Sequence, residues 1–395
     1  MTNRRIIVLA ALGFFQHGLV MLFVGPILPD IMAAFEITES TAGLLLGLGS
    51  AGFAAGPLLG GILSDKIGVF KVIAGALLLE SIFLILFGGS PVLWLLVAAY
   101  FLTLLSAAQV ETTINVLPTM LKDVKVLSVM SFLHLCFSIG AFLFPLFIGF
   151  YLSRLGSWNH IPWIVVAFAF VLFVYAFLTA RRKEAKIAPA ENLHLKELVS
   201  IVKEPSVFFG ALTLALYVGA ELGASAWVVH YLRSSLGLSP VAASTGLSLL
   251  WVGIMAGRLL NGFFVRKFTS LRLVVSMGIL GVVSGVLFIF TTGLAGSYIT
   301  LLILGFAMAG IYPNVMAEIN GKYPKRVGVV TGFMAFGAGA GAMLFQWLIG
   351  FAAEFVGLKF ALTIPALLMG ILCVSYAAAV KTLPSPSASA SPTRS

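Results

Sequence analysis

The sequence predicts an all-α integral membrane protein of twelve transmembrane helices, arranged as two pseudo-repeated six-helix bundles with both termini cytoplasmic. Three observations carry that prediction: the composition, an apolar run of spanning length that recurs down the whole chain, and a match between the two halves at one offset. The 395 residues are 60% hydrophobic and 10% charged, with a mean hydropathy of +1.10. Soluble domains carry about 25% charged residues, so a soluble globular protein is excluded. A hydrocarbon core about 30 Å thick needs about 20 apolar residues per crossing helix, and it admits no irregular backbone exposed to lipid.

In order, the spans of the first half are read at 6 to 34, 41 to 64, 69 to 89, 93 to 120, 127 to 153 and 161 to 180. Those of the second half are read at 206 to 233, 242 to 264, 270 to 292, 297 to 320, 327 to 354 and 357 to 380. The first run is long enough to span and lacks a small-residue cleavage site, so it reads as a helix and not as a secretory signal. So few polar residues separate spans 3 and 4, and spans 9 and 10, that each pair is expected to be a tight hairpin.

The domain division expected is 1–180 for the first bundle, 181–205 for a cytoplasmic linker, 206–381 for the second bundle and 382–395 for a disordered tail. In the linker Leu195, Leu198, Val199 and Val202 share one helical face opposite Lys196, Glu197 and Lys203. That pattern reads as a short amphipathic helix on the inner membrane surface. The tail is rich in Ser, Pro and Ala and cannot bury a core.

A formal charge of +10 invites a nucleic-acid partner, but such proteins cluster their basic residues on one soluble face. Here they fall in alternate loops: Arg4, Arg5, Lys66, Lys71, Lys122, Lys125, Arg181, Arg182, Lys183, Arg266, Lys267, Arg272, Lys322, Lys325, Arg326 and Lys381. The opposite set holds Arg154, Arg233 and Lys359. The positive-inside rule then places the termini and the central linker in the cytoplasm, in a multi-pass cytoplasmic (inner) membrane protein. The two cysteines, Cys136 and Cys373, lie within spans 5 and 12 and read as packing. The chain shows no HExxH, GxSxG or Cys/His cluster, so neither an enzyme, a metal nor an organic cofactor is expected.

At an offset of 201, Gly140 to Phe150 (GAFLFPLFIGF) lies over Gly341 to Phe351 (GAMLFQWLIGF), and Gly56 to Gly61 (GPLLGG) over Gly257 to Gly262 (GRLLNG). Two matches at one offset, each joining equivalent spans, relate the halves. Parallel six-helix repeats with a longer central connection are one layout of secondary transporters, which hold their solute near the midplane between repeats and alternate its access.

Between spans 2 and 3 stands GILSDKIGVFK, residues 61 to 71, which closely resembles the loop signature of the major facilitator superfamily. The resemblance implies the major facilitator fold and a gate motif at Gly61, Asp65, Lys66, Gly68 and Lys71. An aspartate there can accept hydrogen bonds from a facing helix N-terminus when the inner side is closed. In the second half Arg266 stands in its place, so the latch is asymmetric.

A finer resemblance is to the fucose and glucose symporter branch and to sodium-dependent glucose transporter-like proteins. It rests on Glu111-Thr-Thr-Ile-Asn115, on Tyr217-Val-Gly-Ala-Glu221 with Ser225 and Trp227, and on Gly310-Ile-Tyr312-Pro313. Gly257, Arg258 and His134 add to it. In span 1 the chain carries Gln16 and His17 where proton-coupled fucose permeases carry an aspartate. The resemblance implies transport of a sugar or similar polyhydroxylated solute by a monomer in the lipid bilayer, coupled to H+ or Na+.

Carboxylates at bilayer depth are costly and face the protein interior. Glu111 and Asn115 share a face of span 4 and offer one titratable and one amide group to a hydroxylated ligand. Glu221 shares a face with Ser225, with Trp227 farther out, and an acceptor beside an indole suits a sugar. Glu111 and Glu221 are therefore the ion-coupling candidates; for Glu221 the competing account is a structural pair with Arg258. Glu80, in a peripheral span, reads as a structural hydrogen bond.

The substrate-binding candidates are Gln16, His17, Asn115, His134, Trp227, Trp251, Tyr312, Asn314 and Gln346. Tyr312 and Asn314 flank Pro313 in span 10, where the proline frees a backbone carbonyl and permits a bend. Gly337, Gly339 and Gly341 read as surfaces of close helix approach. Two other functions fit less well: a proton-coupled efflux antiporter for amphipathic compounds, which the abundance of Phe and Met would serve, and a membrane sensor that binds without transporting.

Overall fold

The computed structural model describes residues 3–121, 126–180, 201, 203–324 and 326–384. The linker reading over 181–200 and the tail from 385 onward lie outside the described residues, as do Lys122, Lys125, Arg181, Arg182, Lys183 and Lys325. Among the described residues, twelve helices are long and apolar enough to cross a membrane. They are α1 (Asn3–Phe35), α2 (Glu39–Ile67), α3 (Val69–Gly88), α4 (Leu93–Met120), α5 (Val129–Arg154) and α6 (His160–Ala180). The second set is α7 (Pro205–Ser234), α8 (Pro240–Phe264), α9 (Ser270–Phe290), α10 (Leu294–Lys322), α11 (Val327–Val356) and α12 (Leu358–Lys381). The side bearing Asn3 and Lys381 is called the terminal side, and the other the far side.

Four of the helices are interrupted, and proline accounts for each interruption. A proline cannot donate to the carbonyl four residues back, and its ring crowds that carbonyl. Segments end at Leu22 in α1, Ile114 in α4 and Ala361 in α12, each four residues before Pro26, Pro118 and Pro365. In α10 the break falls at Ala309 and Gly310, ahead of Pro313, the interruption that proline was expected to permit. Pro57 and Pro145 sit inside unbroken α2 and α5.

Within each bundle, glycines let helices approach to backbone contact. Gly18 of α1 lies against the Ala141 nitrogen of α5, and a Cβ on Gly140 would stand 2.5 Å from the Phe15 carbonyl. The α11 glycines pack as expected: Gly337 and Gly341 lie against Ala211 and Ala215 of α7 in the same bundle, and Gly339 crosses to Ala54 of α2 in the other.

The bundles meet along α2 with α11, α5 with α8, and α1 with α7. Among the described residues, the polar and glycine contacts that cross this seam lie in its far-side half. Gly43 and Gly47 of α2 back onto Trp347 and Met343, and Gly25 of α1 onto the Ser225 carbonyl. In the other limb Gly149 faces Pro240 and Ser244, and Ser248 Oγ donates to the Phe142 carbonyl at 2.8 Å. The α2–α11 glycine contacts end at Ala54 and Gly339. From there to Ile67 helix α2 runs on for about 20 Å at 1.5 Å per residue. The bundles thus form a wedge, sealed on the far side and open toward the terminal side.

Candidate functional site

Backbone proximity places the polar groups at the apex of the wedge. A Cβ on Gly13 would stand 3.2 Å from Ile114 Cδ1, so α1 and antiparallel α4 touch there. One turn onward along each, His17 Nε2 lies 3.5 Å from Glu111 Oε2. The His17 ring is wedged between Phe53 of α2, at 5.8 Å and nearly parallel, and Phe137 of α5, at 5.5 Å. It is 4% exposed, whereas the Glu111 side chain is 27% exposed to the opening. His134, one turn from Phe137, is exposed and meets Phe14 edge-on at 5.1 Å. Asn115 ends the main segment of α4, and its amide donates to the Glu111 main-chain carbonyl at 3.0 Å.

The facing half-site comes from α7, α8 and α10. Tyr217 Oη donates to Glu221 Oε1 at 2.7 Å, and Arg258 Nη2 lies 3.6 Å from the same oxygen. Glu221 is 9% exposed by its side chain and Arg258 29%, so the guanidinium also reaches the opening. The Tyr312 ring stands 6.3 Å from that of Tyr217 and lies within electrostatic reach of both Glu111 and Glu221. His134 is likewise within reach of His17 and of Arg258. The wedge therefore joins His17, Glu111, Asn115 and His134 of one bundle to Tyr217, Glu221, Arg258 and Tyr312 of the other. Arg258 and Tyr217 enter as partners of Glu221 on the face that Glu221 shares four residues back with Tyr217.

Other candidates lie elsewhere. Gln16 turns away from its neighbour His17, and its amide donates to Glu80 Oε1 at 2.7 Å with both side chains buried. Its place is inside the first bundle, and Glu80 has the hydrogen bond its peripheral position led us to expect. Asn314 is buried in a reciprocal amide pair with Asn261, at 3.0 and 3.3 Å, which ties α10 to α8. Trp251 is 2% exposed, meets Phe137 across the seam at 5.6 Å, and its indole N–H has no hydrogen-bond partner among the described residues.

Trp227 and Gln346 belong to the far-side closure. The Trp227 indole donates to the Gln346 carbonyl at 3.0 Å, and the Gln346 amide donates across the seam to Ser50 Oγ at 2.8 Å. Gln346 and Ser50 border a small cavity lined also by Leu22, Gly25, Tyr100 and Ser225. Beyond it stand three cross-seam polar contacts absent from the sequence reading. Arg233 makes a forked pair with Asp30 at 2.5 and 3.1 Å, His230 Nε2 lies 3.7 Å from Glu39, and the Ser40 N–H donates to Glu354 at 3.3 Å. The repeat held a pointer to the first, because the offset of 201 sets Asp30 over Tyr231, two residues from Arg233.

At the other end Asp65 and Lys66 are exposed, and Asp65 has no hydrogen-bond or ion-pair partner among the described residues. Gly68 adopts φ 91°, a left-handed turn that suits a residue without a side chain.

Two six-helix bundles that enclose a one-sided wedge, with titratable groups at its apex, define the fold of a membrane transporter. The chain belongs to the Major Facilitator Superfamily, whose family model matches residues 10–332. It is 25% identical over 354 residues to the glucose/mannose transporter GlcP of Bacillus subtilis (strain 168), covering 86% of each chain. It is 23% identical over 378 residues to sodium-dependent glucose transporter 1A of Mus musculus, covering 86% of this chain and 87% of that one. Among solved structures, the nucleoside transporter NupG superposes with a TM-score of 0.79 at 15% identity, over 95% of this chain and 99% of that one. An inward-facing, occupied bacterial homolog of the human lysosomal transporter Spinster gives 0.78 at 15% identity, over 96% and 98%. The last two likenesses concern the fold alone.

Proposed function

We propose that this protein is a secondary transporter that imports a sugar or similar polyhydroxylated solute by alternating access, coupled to H+ or Na+. The observation that carries the reading is the pairing of two half-sites across the wedge apex, each built around one membrane-depth carboxylate, Glu111 and Glu221. Between them stand hydroxyl, amide, imidazole and guanidinium groups, which suit a ligand that both donates and accepts hydrogen bonds. The Tyr312 ring offers the flat surface that a sugar C–H face favours. The two relatives named above are glucose transporters by name, which supports the same solute class.

In this reading the terminal side is the cytoplasm, as the basic loops indicate, and the membrane is a cytoplasmic one. The wedge is then the inward-open state. Trp227, Gln346 and Ser50 meet the solute once the far side opens, and Asp65 meets its partners once the terminal side closes. The protein works as a monomer, because one chain supplies both half-sites.

Uptake of radiolabelled hexoses, pentoses and glycosides into proteoliposomes, with and without H+ and Na+ gradients, tests the proposal. Gradient-stimulated entry of one class is expected, with loss in Glu111→Gln and Glu221→Gln. Absence of stimulated uptake for every sugar would refute the solute class.

A further inference from the structure

We propose that the small cavity one turn beyond the wedge apex is a subsite for a single hydroxymethyl arm of the solute, and that Ser225 thereby selects hexoses over pentoses. This rests on the transport reading above and narrows its solute class.

The cavity is built from both bundles. Gly25 of α1 and Ser50 of α2 line it from one side, and Ser225 of α7 and Gln346 of α11 from the other. It leaves about 20 Å3 for the centre of a water molecule, which is room for one small polar group and too little for a sugar ring. The space is not a gap between loosely packed helices. At its edge α1 and α7 are in backbone contact, where a Cβ on Gly25 would stand 2.8 Å from the Ser225 carbonyl.

Its polar groups have hydrogen bonds left to make. Ser225 is 4% exposed, and its Oγ has no hydrogen-bond partner among the described residues. A buried hydroxyl without a partner is costly, and a ligand hydroxyl would relieve that cost. Ser50 Oγ accepts from the Gln346 amide at 2.8 Å and still has its own proton to give. Leu22 and Leu46 supply apolar wall for the carbon of the arm.

The cavity is also within reach of the apex. Tyr217, Glu221 and Ser225 follow at four-residue spacing on one face of α7, so Ser225 stands about 6 Å beyond Glu221 at 1.5 Å per residue. A pyranose held at Glu221 spans that step, and an arm on its far-side ring carbon ends at Ser225 Oγ. The two walls belong to different bundles, so they come together around the arm only as the far side closes. A pentose, which has no arm, leaves the Ser225 hydroxyl unpaired at that step, and such a loss is what lets a site reject an analogue.

The test measures kcat/KM for uptake into proteoliposomes of D-glucose, D-galactose and D-mannose, each beside the pentose that lacks only its hydroxymethyl arm: D-xylose, L-arabinose and D-lyxose. For the hexose that enters fastest, the wild type is expected to favour it over its pentose by about tenfold or more. Ser225→Ala is expected to cut that ratio about 2- to 10-fold, and Ser225→Val, which fills the cavity, at least as far, both by slowing the hexose and sparing the pentose. A loss of folded protein lowers both sugars alike and leaves the ratio where it was. If neither variant folds, the 6-deoxy form of the same hexose decides on the wild type, because it keeps the arm and lacks the hydroxyl, and it should enter about 2- to 10-fold less well. A pentose that enters the wild type as well as its hexose would overturn the proposal, as would a ratio unmoved in both variants or a 6-deoxy sugar that enters as well as its parent. Absence of uptake for every sugar would overturn the solute class and this subsite together, whereas uptake with an unmoved ratio overturns the subsite alone.

Discussion

Removal of Asp30 should open the far side. The Asp30–Arg233 pair joins α1 to α7 with two parallel contacts at 2.5 and 3.1 Å, and its side chains are 24% and 21% exposed. An exposed ion pair contributes about 0–1 kcal/mol. Loss of one partner from a fully buried pair costs about 3–5 kcal/mol. At a fifth to a quarter exposed, with forked geometry, the loss in Asp30→Ala comes to about 2 kcal/mol, since the guanidinium loses both contacts but keeps some water. The cost falls on the closed far side alone, because an open seam hydrates both groups. At about 1.4 kcal/mol per factor of ten, the closed-to-open ratio should fall about 30-fold.

A cysteine at Ser225, which is 4% exposed at the seam, reports the opening once Cys136 and Cys373 are replaced by serine. A membrane-impermeant maleimide supplied from the far side should label Asp30→Ala about 30-fold faster, in proportion to the open population. The charge swap Asp30→Arg with Arg233→Asp should return labelling toward the original rate. Labelling of Asp30→Ala at the unmodified rate would refute the assignment of this pair as a closure, and so would a swap that labels as fast as the single variant.

Gly47→Leu should also favour the open far side, because a Cβ there would stand 2.8 Å from the Met343 carbonyl; faster labelling of the same cysteine checks it. Asn314→Ala should destabilise the protein by about 1–2 kcal/mol by stranding the half-buried Asn261 amide, and a double-mutant cycle with Asn261→Ala should show strong coupling. Glu80→Gln should leave uptake within a few-fold of the wild type, whereas Glu80→Leu should lower the unfolding midpoint, because only the glutamine keeps an acceptor for Gln16.

The twelve spans were legible because lipid imposes one simple rule, and each read boundary falls within about four residues of the helix observed. The interruptions in α1, α4 and α12 were also written in the sequence, as prolines four residues downstream, but hydropathy averages over them. Glu111, Glu221 and His134 could be placed near the seam from their cost at bilayer depth and from the family resemblance. Gln16 could not be separated from His17, since adjacent residues on a helix point about 100° apart and only packing decides which one faces the wedge. Asn314 and Gln346 show the same limit. A membrane-depth amide signals that a partner exists, and gives no sign whether that partner is a solute or another helix.

The groups that shut the far side are opposite charges joined across the seam, and that bears on how the transport cycle responds to voltage. Asp30 and Arg233 part sideways in the membrane plane when the bundles separate, so together they move no net charge along the field. A unit charge carried across the whole membrane exchanges about 2.3 kcal/mol per 100 mV, while a neutral pair that separates laterally exchanges almost none. The electrical work of the cycle is therefore left to the wedge apex, where Glu111 lies beside His17 and Glu221 is paired with Arg258. Membrane potential then acts on the movement of that set, and the opening of the far side itself is electrically silent.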